Sequence, residues 1–221
     1  MANRDNHYEA AFEAYLRGRG VPYVAVDETK RSLLANGESI KSLDFIVSSA
    51  CGVKWLVDVK GRRFPSGDEQ KQYWKNWSTQ DDLESLASWE RLFGADFRGL
   101  FVFAYDIRGD RAPLPEEQLF EYRDALYGFV GVELRHYAAY ARRISPRWGT
   151  LAMSATDFCR LARPMDGFLF SKARGGVSLP SALEPLSFAD GPGCVTEGPP
   201  PECWDESGDD WHRGGQALGQ P

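Results

Sequence analysis

No C-x-x-C pair occurs among the four cysteines, Cys51, Cys159, Cys194 and Cys203, so neither a zinc ribbon nor a disulfide framework is indicated and reduced thiols are expected. No run approaches the ~18 apolar residues a membrane span needs. The opening residues lack the basic-then-apolar order of a secretory signal. A soluble cytoplasmic protein with no membrane partner is the expectation. Positive charge is also short: 26 Lys and Arg stand against 32 Asp and Glu, a net of −6. Spread evenly, that deficit would argue against a nucleic-acid partner. It is concentrated instead in residues 171–221, which hold three basic and eight acidic residues and leave 23 and 24 for residues 1–170. The same stretch loses hydrophobic periodicity and is rich in Gly, Pro and Ser, so a disordered acidic tail at 171–221 is expected to follow one folded domain at 1–170. Cys194, Cys203 and His212 within it are spaced too loosely for a metal site.

What the chain does have is a pair of short apolar, β-branched runs, Leu43–Val47 and Trp55–Gly61, that read as buried strands yet carry charge. Asp58 and Lys60, two apart, share one face of their strand. Hairpin pairing would bring Asp44 alongside them. Two carboxylates and a lysine gathered at a strand end suit a hard divalent cation and an ammonium that steadies a water or a phosphate. The competing reading is a surface salt bridge on an edge strand, worth at most about 1 kcal/mol. The apolar flank of Trp55, Leu56, Val57 and Val59 favours an interior strand.

The spacing Asp44-x₁₃-Asp58-Val59-Lys60 resembles the PD-(D/E)xK motif of the restriction-endonuclease-like nucleases, with Leu43 where the motif's proline would stand. The resemblance implies an α/β fold with an αβββαβ core, a mixed sheet flanked by helices, here with a C-terminal elaboration. It also implies Mg²⁺, with Mn²⁺ as a substitute, held by Asp44, Asp58, the Val59 carbonyl and a first-helix carboxylate. Lys60 would position the attacking water. Glu9, followed by Ala11, Leu16 and Gly20, matches the family's helix pattern; Glu13, one turn further on, is the secondary candidate. His7-Tyr8-Glu9-Ala10-Ala11-Phe12-Glu13 also resembles the signature of the bacterial HYExAFE proteins, more loosely out to about residue 165. Cleavage of DNA is therefore expected, with a nuclease-fold binding module lacking turnover as the main alternative and a hydrolase of small phosphorylated substrates as a third. A dimer is compatible with either of the first two.

Elsewhere the periodicity predicts a helix over 6–19 capped by Asn6, a strand over 21–27, a long polar connection over 29–41, a helix over 80–93 capped by Ser78 or Thr79, and a central strand over 99–105. A glutamine–tyrosine submotif found in some nuclease branches is absent, since Gln80 is followed one turn on by Glu84. Residues 119–122 and 127–134 read as a hairpin-like extension, 134–143 as a helix, 148–153 as a strand and 155–162 as a helix capped by Thr156. Basic residues interleaved with aromatics suit nucleic acid, which nominates Arg62, Arg63, Lys71 and Lys75 beside Tyr73, Trp74 and Trp77. Rings covering the edge of the sheet are the alternative. The arginines at 142, 143, 147, 160 and 163 make a second basic region.

Overall fold

The computed structural model describes residues 6–26, 32–33, 39–65, 74–109 and 114–170, so the expected tail lies outside the described residues. Helix α1 (His7–Gly18) starts where the Asn6 side chain accepts the Tyr8 N–H, and it buries Ala11, Phe12, Tyr15 and Leu16. Gly20, at φ +65°, turns the chain out of the helix in a conformation that suits glycine. Strand β1 (Tyr23–Ala25) follows. The segment expected to be a plain connection contains two short strands, β2 (Ser32–Leu33) and β3 (Ser39–Ile40), paired antiparallel.

The main sheet then builds on β4 (Phe45–Ser48) and β5 (Lys54–Phe64). After β6 (Ser78–Thr79) comes helix α2 (Gln80–Phe93), which links β5 to the parallel strand β7 (Phe97–Ile107). Parallel neighbours need a crossover, and α2 supplies it. Thr79 caps α2 in a reciprocal capping box with Asp82. Strands β8 (Leu119–Tyr122) and β9 (Ala125–Glu133) come next. The remaining elements are α3 (Leu134–Tyr140), β10 (Arg142–Ser145), β11 (Thr150–Ala152), α4 (Ala155–Leu161), β12 (Arg163–Pro164) and α5 (Met165–Leu169). The result is a mixed α/β fold whose central sheet, in the order β1-β4-β5-β7-β9-β12, has helices on both faces.

Alternation along β7 divides the core. Leu100, Val102 and Ala104 face α1 and α5, while Phe101, Phe103 and Tyr105 face α2, α3 and α4. Burial on both faces explains the unbroken apolar run. Several sequence expectations change here. Residues 119–122 and 125–133 do form the expected hairpin, but it is no extension, because β9 lies antiparallel to β7 inside the main sheet and carries β8 on its far side. The helix expected to reach residue 143 ends at Tyr140, and β10 and β11 form a hairpin that pairs with β6. Helix α4 is capped by the Ser154 hydroxyl rather than by Thr156. Among the described residues no helix is long and apolar enough to cross a membrane.

Candidate active site

Asp44 precedes β4 and sets where that strand's ladder stops. Its N–H donates to the Val57 carbonyl at 2.9 Å, and its own carbonyl accepts from Val26 at 2.9 Å. The next donor on β5, the Val59 N–H, is taken by the carboxylate of Asp44 at 2.5 Å. One acid is thereby fixed at the point where β4 and β5 part. In a strand the N–H and C=O of one residue point the same way, so the Val59 backbone faces the same gap.

Asp58 and Lys60 do share a face, with Lys60 Nζ 2.9 Å from Asp58 Oδ1. They lie on an interior strand flanked by β4 and β7, which removes the edge-strand reading. Glu9 reaches the same place from α1. Its carboxylate accepts from the Asn6 amide, so the residue that caps the helix also holds the acid. Glu9 is only 4% exposed and Asp44 only 6%. The close docking of α1 on β5 depends on Gly61, whose missing Cβ leaves room for the Tyr8 ring. Glu9, Asp44, Asp58 and Lys60 line one polar cavity of about 240 Å³, with Lys41 and Asp82 completing its charged wall.

Asp82 is the site residue that sequence reasoning missed. In the sequence it fits a first-turn acid of α2, and nothing in its neighbourhood distinguishes it. In the fold its Oδ2 sits 3.0 Å from Lys60 Nζ and accepts from the Ser78 hydroxyl and the Thr79 N–H at 3.1 Å each. Its Oδ1 meets Lys41 Nζ at 3.0 Å, and Lys41 also pairs with Asp81 at 2.8 Å. Lys41, at the end of the polar connection expected over 29–41, therefore helps to hold the site wall. Burial works against the charge on Lys60, but Asp58 and Asp82 overcome it and hold the ammonium well above its ordinary range. Burial likewise disfavours ionised Asp82, and Lys60, Thr79 and Lys41 reverse that, holding the carboxyl far below the usual range. At neutral pH Lys60 is thus a charge and a donor and not a proton acceptor.

The donor chemistry fits a hard cation: the four carboxylates of Glu9, Asp44, Asp58 and Asp82 border the cavity beside Val59 and outnumber its two lysines. Yet among the described residues no three His, Cys, Asp or Glu side chains converge as a ready cage. In this arrangement Asp58 faces the Lys60 ammonium, 2.9 Å away.

The remaining sequence candidates go elsewhere. Glu13 accepts from Arg17 at 3.0 Å and from the Tyr23 hydroxyl at 2.9 Å, and it does not line the cavity. Arg62 is engaged inside the fold: it stacks 3.7 Å from the centroid of the Trp77 ring and donates to the Trp77 and Gly61 carbonyls. Arg63 is exposed and belongs by alternation to the opposite side of β5, toward His7. Lys75 is half-buried and Lys71 lies outside the described residues. Trp74 packs on Tyr105 at 4.5 Å and on Phe64 at 5.3 Å, so this ring covers the sheet as the alternative reading had it. His7 packs beside the site, its Nδ1 2.8 Å from the Tyr127 hydroxyl.

No family model matches the chain, so the HYExAFE likeness rests on the short signature itself. No curated protein matches it either. Among solved structures, a Holliday junction resolvase from the archaeal hyperthermophile Archaeoglobus fulgidus is similar, with a TM-score of 0.41 and 13% identity over 74% of this chain and 93% of that one.

Proposed function

We propose that this chain is a PD-(D/E)xK-type nuclease that hydrolyses phosphodiesters in DNA with Mg²⁺. The observation that carries the reading is a shared lining: Glu9 from α1, Asp44 at the head of β4, and Asp58 and Lys60 from β5 border one polar cavity. The order α1-β1-β4-β5-α2-β7 through the central sheet supports a restriction-endonuclease-like core.

Asp44 and Asp58 would hold the cation with the Val59 carbonyl, and Glu9 would complete the shell directly or through a water. Bound there, Mg²⁺ would supply Lewis-acid charge at a phosphate oxygen and acidify a water. The chain's own part is orientation. Asp44 is held in place by the Val59 N–H, and Glu9 by Asn6. With Asp58 engaged by a cation, Lys60 would have one partner fewer, and Asp82, 3.0 Å from its Nζ, would keep the ammonium in the cavity. There it can donate to the attacking water or to phosphate oxygens as negative charge develops on them, the charge that preorganised donors stabilise best.

Two measurements test this. Mn²⁺ is expected to raise the melting temperature of the wild type and not that of Asp58→Asn, and equal shifts in both would remove the site. Lys60→Ala is expected to keep DNA affinity within a few fold and to lose cleavage, because one lysine is one phosphate contact among several. A second reading is favoured by the Lys60–Asp58 pair: a DNA-binding module of the same fold without turnover. Intact binding with no wild-type cleavage of supercoiled, linear, branched or single-stranded DNA would select it.

A further inference from the structure

The hairpin of β10 and β11 has a composition that its structural role does not require. Residues 142–150, Arg-Arg-Ile-Ser-Pro-Arg-Trp-Gly-Thr, hold three arginines and no acid. Arg142 donates to the carbonyls of Ala139 and Ala141 at 3.1 Å, and Arg147 lies 5.0 Å from the centre of the Trp148 ring. None of the three pairs with a carboxylate among the described residues; the neighbouring Asp157 is engaged by Arg160. Trp148 is 66% exposed and Ile144 39% exposed. A large ring held in water beside guanidinium groups that form no ion pair with a described carboxylate is a cost to a free protein and an asset to one that binds a polyanion with flat faces.

The hairpin is also fixed to the wall of the cavity. Thr150 and Leu151 pair with Thr79 and Ser78, and the Gln80 N–H donates to the Gly149 carbonyl at 2.8 Å. Two residues beyond Gln80 is Asp82, the partner of Lys60. The base of the hairpin and the ammonium in the cavity are therefore joined through a single turn of α2.

We propose that the β10–β11 hairpin is a DNA-contacting arm for strands with accessible bases: Trp148 stacks on an unpaired base while Arg142, Arg143 and Arg147 meet phosphates. This rests on the nuclease reading for the identity of the polymer. Base faces are covered inside a closed duplex, so the arm's contribution should be confined to single-stranded, forked or otherwise splayed DNA. Arginines contribute to any strand, but the ring discriminates.

The test is equilibrium binding of the full chain, in EDTA so that no strand is cut, to a labelled single strand, a forked duplex and a long fully paired duplex. Trp148→Ala should weaken binding to the first two by roughly 5- to 100-fold and leave the third within about twofold. Trp148→Phe, which keeps a stacking face, should retain most of the affinity. Replacing all three arginines by alanine should flatten the salt dependence of single-strand binding by up to about 2 in log K per log salt. Because these side chains are exposed, thermal melts should be unchanged; if a variant does not fold, Arg142→Ala and Arg147→Ala singly carry the same salt-slope test. Equal loss on all three DNAs would overturn the stacking assignment. Unchanged affinity in every variant, with wild-type binding and cleavage intact, would sink this proposal alone. A changed oligomeric state with unchanged DNA affinity would assign the arm to a second copy of the chain and refute it. Wild type that binds no DNA form would sink this proposal together with the nuclease reading.

Discussion

Gly61→Ala is the substitution whose effect follows most directly from the packing. A Cβ at this position would stand 2.1 Å from Tyr8 Cδ2, 2.5 Å from Cγ and 2.6 Å from Cε2, all atoms of one rigid ring. Ordinary contact would require the ring to retreat by about 1 Å, and it cannot do so by its own rotation alone because it also packs on His7 and Tyr127. The first turn of α1 must move instead. Overpacking of this kind costs about 1–3 kcal/mol, or about 3–10 °C in melting temperature for a domain of this size. Glu9 is the next residue after Tyr8, so a shift on the order of 1 Å also reaches the site, where it is worth on the order of 100-fold in rate. The control is the background. With Tyr8→Ala the obstruction is gone, and Gly61→Ala should then be neutral or stabilising by about 0.4–1 kcal/mol, since a strand alanine has less freedom to lose than glycine. Melts of the two single variants and the double variant give the coupling, expected on the order of 2 kcal/mol. Additive effects of the two substitutions would refute the argument.

Asp82→Asn removes the charge that pairs with two lysines while leaving an amide oxygen to accept the Thr79 N–H; destabilisation of about 2–4 kcal/mol is expected at neutral pH, below the full cost for a buried pair because both sites keep some solvent. Since the folded-state pKa of Asp82 is depressed, its contribution is present above the unfolded value of about 3.9 and is lost as pH falls through the folded value. The gap between wild type and Asp82→Asn in urea melts should accordingly be constant from about pH 5 to 8 and narrow in stronger acid; a gap that widens there would contradict the assignment. Glu9→Gln should reduce cleavage by at least about tenfold and weaken the Mn²⁺ melting shift, whereas Glu13→Gln should leave both unchanged, because only Glu9 lines the cavity. Equal losses in the two variants would return Glu13 to the site.

The site was readable where local pattern and long-range geometry coincide. Asp44, Asp58 and Lys60 stand out because a charged residue in an apolar β-branched run violates the local rule, which is where a candidate site is to be sought. Glu9 was separable from Glu13 only by motif spacing, and the fold separates them by what each touches. Asp82 violates nothing: an acid at the third position of a helix is what a capping box wants, and its contact with Lys60 depends on how α2 lies across β5. The same limit hid where β9 lies in the sheet, although its strand was expected. Gly128 and Gly131 weaken its strand pattern, yet Gly131 is needed where Phe168 packs, a Cβ there being 2.7 Å from the ring. Arg62 and Trp74 are both engaged in packing, and a basic and aromatic composition serves packing as well as it serves a polyanion.

The coupling of β6 to β11 has a consequence for the order in which the protein is completed during synthesis. Glu9, Asp44, Asp58 and Lys60 all leave the ribosome well before residue 76, but the strand that leads into α2 is fixed by partners made much later. The Asn76 side chain exchanges hydrogen bonds with the backbone of Met153, and the Tyr137 hydroxyl bridges the carbonyls of Asn76 and Leu151. Until about residue 153 has emerged, the first turn of α2 lacks its anchor, and Lys60 has Asp58 but no secured Asp82. A nascent chain arrested at residue 140 would carry every motif residue and have an unfinished site, whereas one arrested past residue 153, with enough further chain to clear the exit tunnel, would gain protection from proteolysis across 74–93 in a single step.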